Sequence, residues 1–257
     1  LGAEAVAIST IGNDSRGNIA LKELQNRGVN TSYISVLEQF STGYVTASVD
    51  DKGIATYEFP DDVAWDHLAI NLAAQECAAE LSAICFGTLA QRSDSARLTI
   101  QNYLGITSEK ALKVCDLNLR QNFYNRSIIE TSLKICTILK LNDDELTVLS
   151  SLFLLSGAEH EQMEALRKHF DLELVILTKG SNGSILIAQD DISRHQGIAT
   201  EVVDTIGAGD SFTAAVVTGL LRNNTLDEIN EKANRLAAYV CGQPGAMPPV
   251  PQHYRLD

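Results

Sequence analysis

Short apolar runs rich in β-branched residues alternate along the chain with longer stretches whose apolar residues recur every three or four positions. That alternation predicts βα units around a mainly parallel sheet. A strand over Val6–Ile11 leads to a helix over Gly17–Arg27, stopped by Gly28, and a second strand follows in Thr31–Leu37. Further strands are expected at Ala83–Phe86, Lys113–Asp116 and Ile138–Leu141. The run LVILTKGSNGSILIAQDD reads as strand, Gly-rich turn, strand, and TEVVDT as a last strand. Helices are expected at Ser211–Arg222 and at about Leu226–Cys241, before a Pro/Gly-rich tail.

One stretch has a different texture. TGYVTASVDDKGIATYEF is two segments of period two joined by Asp50-Asp51-Lys52-Gly53, which predicts a β-hairpin. A half-polar hairpin fits badly inside a parallel core, so it is expected outside, as a flap or lid; an edge hairpin of the main sheet is the alternative. The polar and glycine-rich clusters Asn118–Arg120, Asn142–Glu145, Thr178–Gly183 and Asp204–Asp210 fall where strands should end. Open α/β sheets bind ligands beyond those ends.

The 257 residues suffice for one large domain, with 45% apolar and 21% charged residues. A formal charge of −13 argues against a nucleic-acid or anionic-membrane partner, and no apolar run is long enough to span a bilayer. Five scattered cysteines lack metal-ligand spacing and read as reduced thiols of a cytoplasmic protein. The chain opens LGAEAVAISTIGND, with Leu1-Gly2 resembling a helix end, so an upstream segment is expected to be missing.

The densest chemistry is in VVDTIGAGDSF. A helix beginning near Asp210 would converge the N–H groups of Gly207, Ala208, Gly209 and Asp210 at its positive end, a geometry that holds a phosphoryl group. Asp210 would then meet an incoming hydroxyl and take its proton, worth roughly 10²–10⁴-fold in rate. A plain Asp N-cap worth about 1 kcal/mol explains the same residues. A dinucleotide fingerprint fails because Phe212 stands where a third small residue is needed, and no P-loop occurs. Gly209-Asp210-Ser211-Phe212 also resembles a GDSL-type esterase block, but the later His253 follows Val250 where that chemistry needs an Asp.

DTIGAGDSF resembles the C-terminal signature of the PfkB (ribokinase-like) carbohydrate kinases. STIGNDSRGNIALKELQNRGVNTSYI, KLNDDEL, LTKGSNGS and AAYVCGQPGAMPPVP are similar, in order, to further family segments. The resemblance implies a three-layer α/β/α domain over residues 1–257 with a mainly parallel central sheet and a small β lid at about 43–59. It implies transfer of the γ-phosphoryl of ATP to a sugar hydroxyl, with Asp210 as base and Gly207, Ala208 and Gly209 as the anion hole. Asn142 and Glu145 would act on Mg²⁺ through water, although the same pair is also a capping box. Thr178, Gly180, Gly183 and Asn234 would approach the nucleotide, K⁺ is a further cation used near this loop, and a homodimer through the lid is implied. The family's Asp on the first strand and its Gly-Gly-x-x-x-N segment lie upstream of this sequence.

CDLNLRQNFY bears on the acceptor. Asp116-x-Asn118-x-Arg120 resembles the D-x-N-x-R of fructokinases and of 2-keto-3-deoxygluconate kinases, and PDDVAWDHL resembles the fructokinase segment after the lid, with Trp65 packing. Asn118 and Arg120 are therefore candidate sugar ligands; a salt-bridged structural Arg120 is the alternative. The resemblance implies a fructokinase first, a sugar-acid kinase second, and a silent regulatory member of the fold third.

Overall fold

The computed structural model describes residues 1–49 and 55–255. Their contacts form two compact units. One comprises Glu4–Leu81 and Leu89–Glu109, the other Leu1–Ala3, Ser82–Thr88 and the chain from Lys110 onward.

In the first unit β1 (Ser9–Gly12) runs parallel to β2 (Ile34–Leu37), with α1 (Ser15–Asn26) as the crossover between them. The predicted strand was longer, but Val6 makes only an isolated bridge to Asn30. Asp14 caps α1: one oxygen accepts the Gly17 amide at 2.8 Å and the other the Thr42 amide at 2.7 Å. Those N–H groups hold its carboxyl below the usual range. β3 (Thr46–Val49) and β4 (Ala55–Glu58) pair antiparallel as a separate two-stranded sheet, so the hairpin is not an edge of the main one. Its expected turn, Asp50–Gly53, lies outside the described residues.

Beyond the hairpin, α2 (Leu72–Cys77) precedes α3 (Asp94–Ile106), whose N-cap is Ser93. A buried Arg92 guanidinium grips both Asp66 oxygens, at 2.7 and 2.6 Å. Trp65 lies against Gly43 and beneath Arg92, which is the packing role read from the sequence.

The second unit is built on one sheet with strand order β10-β9-β8-β7-β6-β5. β5 (Ala83–Phe86), β6 (Leu112–Asp116), β7 (Ile138–Asn142) and β8 (Leu174–Thr178) are parallel. β9 (Ser184–Ala188) and β10 (Ile192–His195) return antiparallel. The expected TEVVDT strand is absent. Val202 and Val203 are exposed, and the Val203 and Asp204 amides bond the Cys241 carbonyl. The polar stretch ISRH supplies the last strand instead.

Alternation along the strands sends successive residues to opposite cores. Cys115, Leu139, Leu141, Val175 and Leu177 pack beneath α4 (Arg126–Ile135), α5 (Asp143–Phe153) and α6 (Glu159–Phe170). Val114, Ile138, Leu174, Ile176 and Leu186 face α7 (Ala208–Leu221) and α8 (Leu226–Cys241). In α8 the buried residues Leu226, Ile229, Ala233, Leu236 and Val240 form one helical stripe, and each large one contributes about 1.5–3 kcal/mol by burial. Among the described residues no helix is long and apolar enough to cross a membrane, and all five cysteines are free.

Candidate active site

Because β5 to β8 are parallel, their carboxyl ends share one edge, and β6, β7 and β8 finish there on Asp116, Asn142 and Thr178. Three of the four polar clusters therefore sit at strand ends. The fourth, Asp204–Asp210, leads into a helix without a strand before it.

That helix, α7, starts two residues earlier than the spacing suggested. Gly207 is its N-cap, at φ 82°, and accepts the Ser211 amide at 2.9 Å. Left-handed backbone is one reason for glycine here. The other is space, since a Cβ would lie 2.1 Å from the Ala246 carbonyl oxygen. Asp210 is consequently not the cap. It stands exposed in the first turn, with no side-chain partner among the described residues. The Ala208 amide reaches Thr205 at 3.3 Å, whereas those of Gly209 and Asp210 have no acceptor among the described residues. Asp204 shapes the approach, accepting the Ile206 amide at 2.9 Å and the Gly245 amide at 3.2 Å. The result is a helix start with open donors and a free carboxylate beside them.

Beneath this turn lies a residue that motif reading missed. Lys140 sits in β7 on the α7/α8 face, two residues from Ile138, where the pattern calls for an apolar side chain. Its Nζ donates to Asp116 Oδ2 at 2.7 Å, and Thr213 Oγ1 donates to the same oxygen at 3.0 Å. The pair is largely buried, with side chains 8% and 19% exposed. Lys140 Nζ also lies 3.3 Å from where a Gly209 Cβ would stand. A lysine interrupting a buried strand was the available signal.

The D-x-N-x-R segment thus divides. Asp116 is committed to the interior, while the next residues turn sharply: Asn118 and Gln121 both adopt φ 46°. Asn118 is half-buried, with no side-chain hydrogen bond among the described residues. Arg120 is exposed; its Nη1 donates to the Leu119 carbonyl at 3.2 Å, and it makes no ion pair among the described residues. Among the described residues the salt-bridged alternative for Arg120 finds no carboxylate partner.

Asn142 and Glu145 form the capping box of α5. Asn142 Oδ1 accepts the Glu145 amide at 2.8 Å, and Glu145 Oε2 accepts the Asn142 amide at 2.9 Å. Glu145 does more than the box requires, because Oε1 accepts the Leu119 amide at 2.8 Å. Burial raises its carboxyl above the usual range, with Asp116 adding to the shift, against the opposing pull of the two amides and Lys140.

The Gly-rich turn between β8 and β9 is backed by β10. Thr178 closes β8 with its hydroxyl 3.4 Å from the Leu141 carbonyl, and Gly180 is exposed in the short turn Gly180–Asn182. Gly183, at φ 80°, is buried so tightly that a Cβ would lie 2.0 Å from the His195 carbonyl oxygen. Asn234 faces the sheet from α8, and its Nδ2 donates to Ser184 at 2.7 Å and to Asn230. Its Oδ1 has no partner among the described residues and is the side-chain atom left for a ligand.

The pfkB family carbohydrate kinase model matches residues 1–253. A sugar kinase of Pyrococcus horikoshii is 27% identical over 255 residues, covering 96% of this chain and 77% of the relative. A fructokinase of Escherichia coli is 23% identical over 269 residues, covering 100% and 86%. The solved structure of the Pyrococcus horikoshii sugar kinase in complex with ATP superposes with a TM-score of 0.82 at 26% identity, over 96% of this chain and 80% of that one. An Escherichia coli ribokinase II with ATP and Mg²⁺ gives 0.82 at 20% identity, over 96% and 80%, and shows the shared ribokinase-like α/β fold. A family match running almost the length of the chain, on a fold its relatives share, means that the protein belongs to the pfkB family of carbohydrate kinases.

Proposed function

We propose that this sugar kinase transfers the γ-phosphoryl of ATP to a primary hydroxyl of fructose, with the two units acting as one catalytic domain. The observation that carries the reading is the exposed Asp210 in the first turn of α7, without a side-chain partner among the described residues, beside the open amides of Gly209 and Asp210. Asp210 takes the proton of the acceptor hydroxyl, whose oxygen attacks the γ-phosphorus in line as the bond to ADP breaks. The Gly207, Ala208 and Gly209 backbone and the α7 dipole receive the charge on the transferring group. Thr178, Gly180, Gly183 and the Asn234 oxygen serve the nucleotide.

Mg²⁺ on the phosphates supplies charge neutralisation when bound. Asn142 and Glu145 would hold it through its waters, which suits side chains already engaged with backbone amides. It also suits a site where no three His, Cys, Asp or Glu side chains converge among the described residues. K⁺ activation, a lid role for the β3–β4 hairpin and a homodimer through it belong to the same reading. Turnover in K⁺ against Na⁺, and sedimentation of a hairpin-deleted variant, test them.

Asn118 and Arg120 are the proposed acceptor ligands. The guanidinium of Arg120, exposed and without an ion pair among the described residues, favours a second reading, a 2-keto-3-deoxygluconate-type acid whose carboxylate it would fork. The test is ADP release by the full-length protein with ATP·Mg²⁺ and fructose, ribose, glucose, 2-keto-3-deoxygluconate or adenosine. Release with fructose that falls at least 10²-fold in Asp210→Asn, with ATP binding kept, is the expected result. Release only with the acid moves the assignment to the second reading, and unchanged turnover in Asp210→Asn defeats the mechanism.

A further inference from the structure

Glu145 touches two loops that serve different parts of the proposed reaction. Its carboxylate is 5% exposed as a residue and spends one oxygen on each loop. Oε2 takes the Asn142 amide at the start of α5, and Oε1 takes the Leu119 amide between Asn118 and Arg120. A capping box needs only the first bond. The second crosses from β7 to the segment after β6, where Asn118 and Gln121 both hold left-handed backbone. Non-glycine residues keep that conformation only where their surroundings impose it. The Leu117 amide is fixed by the Lys140 carbonyl at 3.0 Å and the Phe123 amide by the Arg120 carbonyl at 3.1 Å. Between them Glu145 holds the Leu119 amide, while the Thr88 hydroxyl donates to the Leu117 carbonyl at 2.8 Å.

We infer that Glu145 is a positioning residue for the sugar: its carboxylate braces the Leu119 amide and so sets where Asn118 and Arg120 meet the acceptor. The inference rests on the acceptor role proposed for those two residues. It separates Glu145 from a purely metal-directed role, because a brace requires length and two acceptor oxygens, whereas a water-mediated metal contact requires charge.

Two substitutions distinguish these requirements. Glu145→Gln keeps the length but turns one acceptor into a donor that faces an amide N–H. Glu145→Asp keeps the charge but is one methylene too short to serve both amides. For the brace, both variants raise the sugar KM, and the sugar Kd measured without ATP or Mg²⁺, by about tenfold or more, the worth of one charge-assisted hydrogen bond. In Glu145→Asp, which keeps the charge a water-mediated metal contact needs, the Mg²⁺ activation midpoint stays within about twofold while sugar affinity falls. Amide hydrogen exchange at Leu119 accelerates in the variants relative to Leu117.

A shifted Mg²⁺ midpoint in Glu145→Gln, rescued in Glu145→Asp with sugar affinity unchanged, overturns the inference and leaves the kinase reading standing. Failure of the wild-type protein to bind or phosphorylate any acceptor in the panel defeats the acceptor assignment, and with it the sugar-directed role of Glu145. Leu119 exchange then still decides whether the brace exists: an amide that exchanges freely in the wild type removes it.

Discussion

Replacing Lys140 tests whether the buried charge pair holds the floor of the candidate site. Lys140→Met removes the ammonium from a side chain only 8% exposed and leaves Asp116, 19% exposed, with the Thr213 hydroxyl as its remaining donor. Breaking a buried pair from one side costs about 3–5 kcal/mol. The surviving hydrogen bond and the partial exposure of Asp116 place this case at the low end, about 3 kcal/mol. Asp116→Leu costs a similar amount, since it strands the ammonium, while the Thr213 hydroxyl turns its one proton to the Gly209 carbonyl at 3.0 Å. If the two charges exist for each other, the double variant Lys140→Met/Asp116→Leu costs no more than either single one. Urea unfolding of the four proteins supplies the cycle, with a coupling energy of about 3 kcal/mol expected. Each single variant should melt roughly 6–12 °C lower. The double variant should fold yet turn over slowly, because Lys140 Nζ lies beneath the Gly209 turn. Single costs that add to within about 0.5 kcal/mol in the double variant would refute the reasoning.

Other positions separate stability from chemistry in different ways. Arg120→Ala should leave stability within about 0.5 kcal/mol, as expected for an exposed side chain without an ion pair, yet raise the sugar KM roughly 10–100-fold by loss of a charged hydrogen bond or fork; an unchanged KM removes Arg120 from the acceptor site. Gly183→Ala forces a side chain to within 2.0 Å of the His195 carbonyl oxygen at φ 80°, so the loop must shift, and ATP should lose most of its protection against thermal unfolding. The Arg167 guanidinium beside Glu164, at 2.8 and 2.9 Å, holds that carboxyl down at about 2, against an ordinary 4.5. A depressed folded value means the contribution is present above about pH 4.5 and disappears as pH falls toward 2. The melting-temperature gap between wild type and Glu164→Gln should therefore narrow over that range, and a constant gap would contradict the pairing.

Where burial and periodicity agree, the fold was legible. The stretch Leu226–Cys241 is the observed helix to the residue, because its apolar stripe, the Thr225 cap and Gly242 all mark the same limits. TEVVDT carries the β-branched signal of a strand but forms none, because Val202 and Val203 are exposed and the Val203 and Asp204 amides turn to α8. ISRH went unseen because a polar edge strand has no apolar alternation to reveal it. At the site, the motifs located the strand ends but could not apportion the side chains among them. Asp116 and Arg120 belong to one pentapeptide, yet only their surroundings make the first internal and the second free. Asp210 was misplaced by half a turn of helix because glycine, rather than a polar side chain, caps α7.

That division inside the pentapeptide bears on how such an enzyme changes over time. The residues that hold the floor of the site are tied to three separate elements, so their replacement is punished through the fold itself. Arg120 is tied to none of them. If Arg120 meets the acceptor as proposed, a lineage can exchange it, and with it the preferred acceptor, without first acquiring compensating stability elsewhere. The same separation gives an experimenter a place to randomise, since a library at position 120 would test substrate preference in proteins that still fold.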